Sequence, residues 1–428
     1  MNPLDRRLRA LHWLFAATER WLYESRHPTP AFPYARDVDW KVIGDLAYVH
    51  NMEPLLYWVL SNTAIPIKVP EYLKEKWEQA YFGNFLRNEE YLGILKRLLH
   101  KCETKGIPII VLKGPALIGR IYKDPALRTL SDLDILCSRD DLHRIVSLAR
   151  HMGYTMMDDG DDPAAAHHVA MVQAASGTIL EFHFMPYEMI QDHTKFMQLA
   201  WERREWIDVG GIHCPVLCLQ MELLFNIAHL VQHQFDVSLK HFLDIAGLLV
   251  FYRREFKGDG LGILLRDFGL ENPFALTTGF LSTMMGIPVM SQGPLLNPKE
   301  SSRQEFNTSL RNLLALLNED RLLDVRGAVW NFRTAIGNRE GILNKFDYVV
   351  KTLLPFSGGV TGHEIRSSGD ARYFLHQCLF YFKRLLLTLR HRLKELLSTG
   401  QQSLAAERAA AKGRITRQLM KLARPRQH

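Results

Sequence analysis

Apolar residues in the first hundred positions recur every three to four places, the spacing of helices that bury one face. DLAYVHNMEPLLYWVLS shows it, and so does the long run PEYLKEKWEQAYFGNFLRNEEYLGILKRLLHKCETKG. Pro70 suits a first helical turn and Gly106 a stop, so residues 1–104 are expected to be a helical lead-in. The period then changes. IPIIVL, at 107–112, is a continuous β-branched run of strand length, closed by Lys113-Gly114-Pro115. ALIGRIY returns to helical spacing, and LDILC reads as a second strand. DDLHRIVSLARHMGY predicts an amphipathic helix with Asp140 and Asp141 in its first turn and Gly153 past its end. HHVAMVQA and TILEFHF flank a Ser176-Gly177 turn and predict a hairpin.

This order predicts an α+β protein: a small mixed β-sheet with helices on one side, flanked by helical regions before and after it. The expected boundaries are 1–104 for the lead-in, 105–215 for the α/β core, 216–400 for a helical domain and 401–428 for a tail. Breaks are expected at GDGLG (258–262), GPLLNP (293–298) and PFSGGVTG (355–362). GDGLG lacks a preceding strand, so it reads as a loop rather than a dinucleotide fingerprint. PFALTTGFLSTMMGIPVM, at 273–290, carries no charge, but Gly279, Gly286 and Pro288 interrupt it. It reads as a buried helix ending near Gly286 rather than a membrane span. The start, MNPLDRRLRALHWLFAATERW, lacks a signal-peptide cleavage pattern. A cytoplasmic protein is therefore expected. LFYFKRLLLTLRHRLKELL, at 379–397, is basic with one apolar face, fit for core packing or for the periphery of a membrane.

Composition adds bounds. A chain of 428 residues has room for two or three domains, and 47% hydrophobic against 23% charged residues excludes a disordered chain. Of the net charge of +7, much sits at the end: Arg408, Lys412, Arg414, Arg417, Lys421, Arg424 and Arg426 face only Glu407. Such a tail can meet an anionic surface (nucleic acid, lipid or an acidic partner) or simply form a solvated terminal helix. Among the five cysteines only Cys214 and Cys218 are close in sequence, which is weak support for a metal. Free thiols in a reducing compartment are the plainer reading.

The candidate chemistry starts in RTLSDLDILC, where Asp132 and Asp134 interrupt an otherwise apolar strand. Residues two apart on a strand share a face, so the two carboxylates project side by side. Like charges that close raise the pKa of one unless a cation lies between them. Mg²⁺ or Mn²⁺, which seek oxygen ligands, suit such a pair. In TILEFHF, Glu181 and His183 share one face while Leu180, Phe182 and Phe184 fill the other. If the two strands are neighbours, Glu181 completes a three-carboxylate site able to hold two metal ions. His229 and His233 in HLVQH stand one helical turn apart. They could ligate a metal together or be hydrogen-bonded structural groups, and no Glu follows the first, so the zinc-protease motif is absent. Lys240 and Asp244, also one turn apart, read as a surface ion pair worth a few tenths of a kcal/mol.

VLKGPALIGRIYKDPALRTLSDLDILC as a whole resembles the core of the DNA polymerase β-type nucleotidyltransferase superfamily. It resembles more closely a bacterial family of uncharacterised nucleotidyltransferases that carry an LKG-x-AL turn followed by R-x-x-x-D-x-D. Here those are Leu112, Lys113, Gly114, Ala116 and Leu117, then Arg128, Asp132 and Asp134. Ser131 fits the wider S-D-x-D pattern, and the likeness runs from roughly residue 40 to 250. The resemblance implies a nucleotidyltransferase core and transfer of a nucleoside monophosphate from an NTP, such as ATP, to a hydroxyl or similar acceptor, releasing pyrophosphate. The acceptor, on a small molecule or a protein, is not specified. It implies that Asp132 and Asp134 bind both metals, and that Glu181 holds the catalytic one and helps deprotonate the acceptor. The turn at 113–115 would face the β- and γ-phosphates.

Lys113-Gly114 stands where the superfamily usually has Gly-Gly or Gly-Ser. Lys113 could grip phosphate or snorkel to solvent from the end of its strand. Arg128 could reach the triphosphate or pair with Asp124. Contact of Lys240 and Asp244 with nucleotide follows from the resemblance alone. Neither Asp132 nor Asp134 is expected to be structural. The competing readings are a degenerate member that binds nucleotide or a partner without turnover, and a nucleic-acid binder using the basic tail.

Overall fold

A computed structural model describes residues 3–23, 38–63, 68–157, 167–233, 235 and 237–287. The helices that open the chain are α1 (Pro3–Tyr23), α2 (Trp40–Val49), α3 (Glu53–Asn62) and α4 (Glu71–Thr104). The long helix starts after Pro70 and stops before Gly106, whose φ of 60° is a left-handed turn that a side chain would resist. Next come β1 (Ile109–Val111) and α5 (Lys113–Leu117), which runs into a π-helical turn at Ile118–Tyr122. A 3₁₀ turn at Pro125–Leu127 leads to β2 (Leu133–Cys137), α6 (Leu142–His151) and β3 (Tyr154–Met156). The predicted hairpin is β4 (His168–Gln173) and β5 (Ile179–His183). After α7 (His193–Glu202), a second hairpin of β6 (Glu205–Val209) and β7 (Ile212–Val216) precedes α8 (Leu219–Gln232), α9 (Leu239–Phe251), α10 (Asp259–Asp267) and α11 (Glu271–Met285).

The strands form one mixed seven-stranded sheet in the order β3-β4-β5-β2-β1-β7-β6. β2 lies antiparallel to β1 and parallel to β5, which puts it near the centre. The α+β class expected from the sequence is what the structure shows. The sheet is covered on both faces, however, not on one. Leu133, Ile135 and Cys137 of β2 share a core with Leu180 and Phe182 of β5, the second half of α4 and Ile145 and Ala149 of α6. Ile110, Leu112 and Leu136 point the other way, into a larger core built with α1, α2, α3, α8, α9 and α11. Strand alternation produces this split, since neighbouring residues face opposite sides.

Three smaller expectations need correction. Asp140 and Asp141 precede α6 instead of lying in its first turn; Asp141 is its N-cap residue. GDGLG is not a loop, because Asp259 already begins α10. Three strands, β3, β6 and β7, went unread. In EWIDV, Glu205 and Asp208 interrupt the apolar residues, so no continuous apolar run of strand length is left to detect. The 273–290 reading holds: α11 ends at Met285 and Gly286 caps it with φ 61°. Among the described residues no helix is long and apolar enough to cross a membrane. The breaks at 293–298 and 355–362, the 379–397 helix, Cys378 and the basic tail lie outside the described residues.

Candidate active site

The face of β2 opposite its apolar stripe carries Asp134, which is buried. β5 runs parallel to it in a register that sets Asp134 against Glu181 and Leu136 against His183. Antiparallel β4 then sets His168 against His183 and Ala170 against Glu181. Three neighbouring strands thus present Asp134, Glu181, His183 and His168 on one face. Ligand atoms of Asp134, Glu181 and His183 all lie within 4.8 Å of one another. Asp132, half-buried just before the strand, adjoins this group without being part of it.

Lys113 supplies the positive charge. Its Nζ donates to Asp134 Oδ1 at 2.6 Å, and His183 Nε2 meets the same oxygen at 2.8 Å. The ammonium also lies 5.6 Å from the ring centre of Tyr187 and 5.9 Å from that of Phe225, within cation–π range. Lys113 reaches this position from a backbone with φ 45°, a left-handed conformation uncommon outside glycine. Gly114 follows for a steric reason: a Cβ there would lie 2.4 Å from Leu130 Cδ2 and 2.9 Å from Arg128 Nη1.

The electrostatics follow from the geometry. Burial pushes Asp132 up, the Asp134 charge adds to it, and its pKa reaches about 6. Burial would push Asp134 up as well, but Lys113 and His183 outweigh it and hold this carboxyl far below the usual range. Burial disfavours the Lys113 charge, yet Asp134, Tyr187, Glu181 and Asp132 raise its pKa well above the ordinary lysine value. His183 is likewise raised, its bonds to Asp134 and Glu181 prevailing over burial.

A second polar network holds the loop that delivers the acids. Asn88, buried on α4, donates to the carbonyls of Pro125 (2.5 Å) and Arg128 (2.7 Å) and accepts from the Leu130 N–H at 3.3 Å. Asn84 reaches the Ala126 carbonyl at 2.6 Å, and the Tyr91 hydroxyl reaches the Ser131 carbonyl at 2.6 Å. Arg128 grips Asp244 with Nε at 3.0 and 3.2 Å and Nη2 at 2.8 Å, and the Tyr122 hydroxyl donates to Asp244 Oδ1 at 2.7 Å. Lys240 Nζ donates to the Thr129 carbonyl at 3.0 Å. Its pKa is lowered to about 8, by burial and then by the Arg128 charge.

This arrangement coincides with a known sequence family. The sequence model of the uncharacterised nucleotidyltransferase family matches residues 36–286, more than half of the 428-residue chain. The chain belongs to this family. Its members form a class of nucleotidyl-transferring enzymes, and the acid face described above falls within the matched range. No curated protein matches the sequence. Among solved structures, a similar one is an antigenic nucleotidyltransferase-like protein from Paracoccidioides brasiliensis, at 14% identity and a TM-score of 0.27, covering 50% of this chain and 94% of that one.

Against the expectations for a nucleotidyltransferase, the structure brings Asp134, Glu181 and Lys113 together, with Asp132 beside them. Lys113 does not snorkel; it is 6% exposed and bound to Asp134. Arg128 pairs with Asp244, not with Asp124, which instead caps the 3₁₀ turn and accepts from Tyr81. Lys240 and Asp244 are not a surface pair, since both are buried and bonded elsewhere. Asp244 is 0% exposed with both oxygens taken, so it positions Arg128 and has no surface to offer a nucleotide. Asp134 is structural as well as a candidate ligand, because its removal would strand a buried ammonium. The Ser131 side chain is exposed, next to Asp132 in the chain. His229 is buried against the Tyr187 hydroxyl at 3.0 Å, and its ring centre lies 4.5 Å from that of His233. Cys214 and Cys218 are free thiols in different cores on opposite faces of the sheet.

Reading the sequence missed His183, Tyr187 and Asn88 as members of the site. His183 had a usable signal, since it shares the Glu181 face. Asn88 had none, because a polar residue on an amphipathic helix reads as a solvated position.

Proposed function

We propose that this protein moves a nucleoside monophosphate from an NTP to a hydroxyl or similar acceptor on a small molecule or protein, releasing pyrophosphate in a divalent-metal-dependent reaction. The observation that carries the proposal is the register pairing of Asp134 with Glu181 on adjacent parallel strands, with Asp132 next to them. The donor set fits Mg²⁺ or Mn²⁺: carboxylate oxygens on one face, in a site whose surplus negative charge already draws in the Lys113 ammonium. Asp132, Asp134 and Glu181 would hold the ions, which supply charge neutralisation at the transferring phosphoryl group.

The chain's own residues then have separable tasks. Glu181, half-buried, accepts the acceptor's proton as its oxygen attacks the α-phosphorus. Lys113 and Lys240 place positive charge beside the acids, where triphosphate oxygens come to lie. The Ser131 hydroxyl is exposed beside Asp132, and the buried 113–115 turn reaches the acids through Lys113. Arg128, locked by Asp244, keeps the loop before Asp132 in place. The test is incubation of the full chain with each α-labelled NTP, Mg²⁺ or Mn²⁺ and candidate acceptors, following pyrophosphate and label transfer. Metal-dependent transfer that disappears in Glu181→Gln is the expected result. Nucleotide binding without pyrophosphate release under every condition would instead identify a degenerate, non-transferring member.

A further inference from the structure

β4 and β5 carry a set of histidines that the transfer reaction does not use. His168 is the register partner of His183, and His167 directly precedes it. One ring nitrogen from each of His167, His168 and His183 lies within 4.8 Å of those of the other two. His168 Nδ1 and His167 Nε2 are 3.1 Å apart. Two nitrogens bound to one tetrahedral zinc at about 2.0–2.1 Å stand about 3.3 Å from each other, so this is close to a ligand–ligand spacing.

A shared N–H could explain the His167–His168 pair alone, and ring packing explains the 5.3 Å stack of His168 on His183. Neither explains His183 Nδ1. His183 is 1% exposed, and among the described residues this nitrogen has no hydrogen-bond partner. Protonated or not, it is a buried polar atom left unsatisfied, which native proteins avoid. The other nitrogen of the ring is bonded to the Asp134 carboxylate at 2.8 Å. Carboxylate on one nitrogen and metal on the other is how proteins orient a ligating histidine.

We propose that His167, His168 and His183 form a three-nitrogen site for a transition-metal ion of the zinc class, joined to the carboxylate site through the Asp134–His183 hydrogen bond. Imidazole nitrogens select zinc-like ions, whereas the neighbouring carboxylates select Mg²⁺ or Mn²⁺, so the two corners differ in the ion they take. Three protein ligands leave a fourth position for water or a ligand atom. The ion ties β4 to β5 at the edge of the acid face, and its binding stabilises the fold by mass action.

The test uses the tag-free full chain, stripped with a chelator and titrated with Zn²⁺ or Co²⁺. Readouts are ions retained per chain, the visible spectrum of bound Co²⁺ and the thermal shift. The expected result is a single tightly held ion, with affinity falling at least about 100-fold when His167 and His168 are both changed to Ala. His168→Gln, which keeps a polar side chain, should lose affinity with its circular dichroism unchanged, so misfolding cannot stand in for a lost ligand. Asp132→Asn should bind Zn²⁺ within about threefold of the unaltered chain, since Asp132 lies outside the histidine set. No retained ion in the unaltered chain, equal uptake by the double variant, or a loss produced only by His229→Ala would each overturn the proposal. Metal uptake is read without nucleotide, so failure of the transfer reaction and failure of this site are separate results.

Discussion

Two buried ion pairs serve this site, and they are built to opposite rules. In Arg128–Asp244 a planar guanidinium meets both carboxylate oxygens at 2.8–3.2 Å, and Tyr122 adds a further donor. Charge and hydrogen bonds balance there, as a purely structural pair requires. In Lys113–Asp134 both the ammonium and His183 converge on one oxygen, while Glu181 and Asp132 add negative charge close by. Burial, with the Asp134 charge added to it, lifts the Asp132 pKa to about 6. A balanced pair holds a loop still. An unbalanced one is stabilised by added positive charge, which is what the proposed divalent ions would bring.

The largest expected effect tests the balanced pair. Asp244→Ala leaves a buried guanidinium without its partner, and denaturant unfolding should show a loss of about 3–5 kcal/mol. A variant as stable as the parent would mean the pair is not the lock described here. Next is Asp132→Asn, which should lower transfer roughly 10³-fold, corresponding to several kcal/mol at the transition state. Its stability should be unchanged or slightly higher, because a repelling charge is removed. Equal losses of activity and stability would erase the distinction between the two pairs.

Lys113→Met keeps an unbranched apolar body against Tyr187 and Phe225 but leaves Asp134 with His183 alone. We expect a stability loss of about 2–3 kcal/mol, partly recovered by Mg²⁺ in thermal melts. Failure of Mg²⁺ to recover any of it would argue that the acids do not share one cation site.

The smallest effect concerns Glu222, buried on α8, whose Oε1 accepts from Asn226 at 2.9 Å and whose Oε2 has no partner among the described residues. Burial pushes its pKa up to about 7, with Arg120 opposing, against 4.5 for the ordinary carboxyl. Between these values the folded chain keeps a proton that the unfolded chain has released, so stability falls as pH rises through that window and levels off above it. Glu222→Gln should remove that fall, roughly 2 kcal/mol between pH 5 and 7, and flatten the melting temperature over that range. Parallel pH profiles for the two proteins would show that Glu222 stays ionised.

Much of the site could be read before folding. The Asp134 and Glu181 alternation was legible in each strand, and the β2–β5 pairing made these two neighbours, while Asp132 falls just before its strand and adjoins them instead of sharing their face. The partners of the cations could not be read. Arg128 and Asp244 are 116 positions apart, so nothing local distinguishes Asp244 from the nearer Asp124. Lys113 follows a strand-like run, a place from which lysines usually reach solvent, and the fold instead sets it against Asp134 and the rings of Tyr187 and Phe225.

The sequence by itself determined the periodicities: helices before and after a sheet, an acid on one strand with a second just before it, and a third acid on another strand. These are local properties, set by side-chain alternation and turn chemistry within a few residues. Tertiary structure decided which charges meet. Packing two cores against opposite faces of the sheet buried Lys113, Arg128, Lys240 and Asp244. Once water is excluded, each charge must find its partner wherever the fold has placed one.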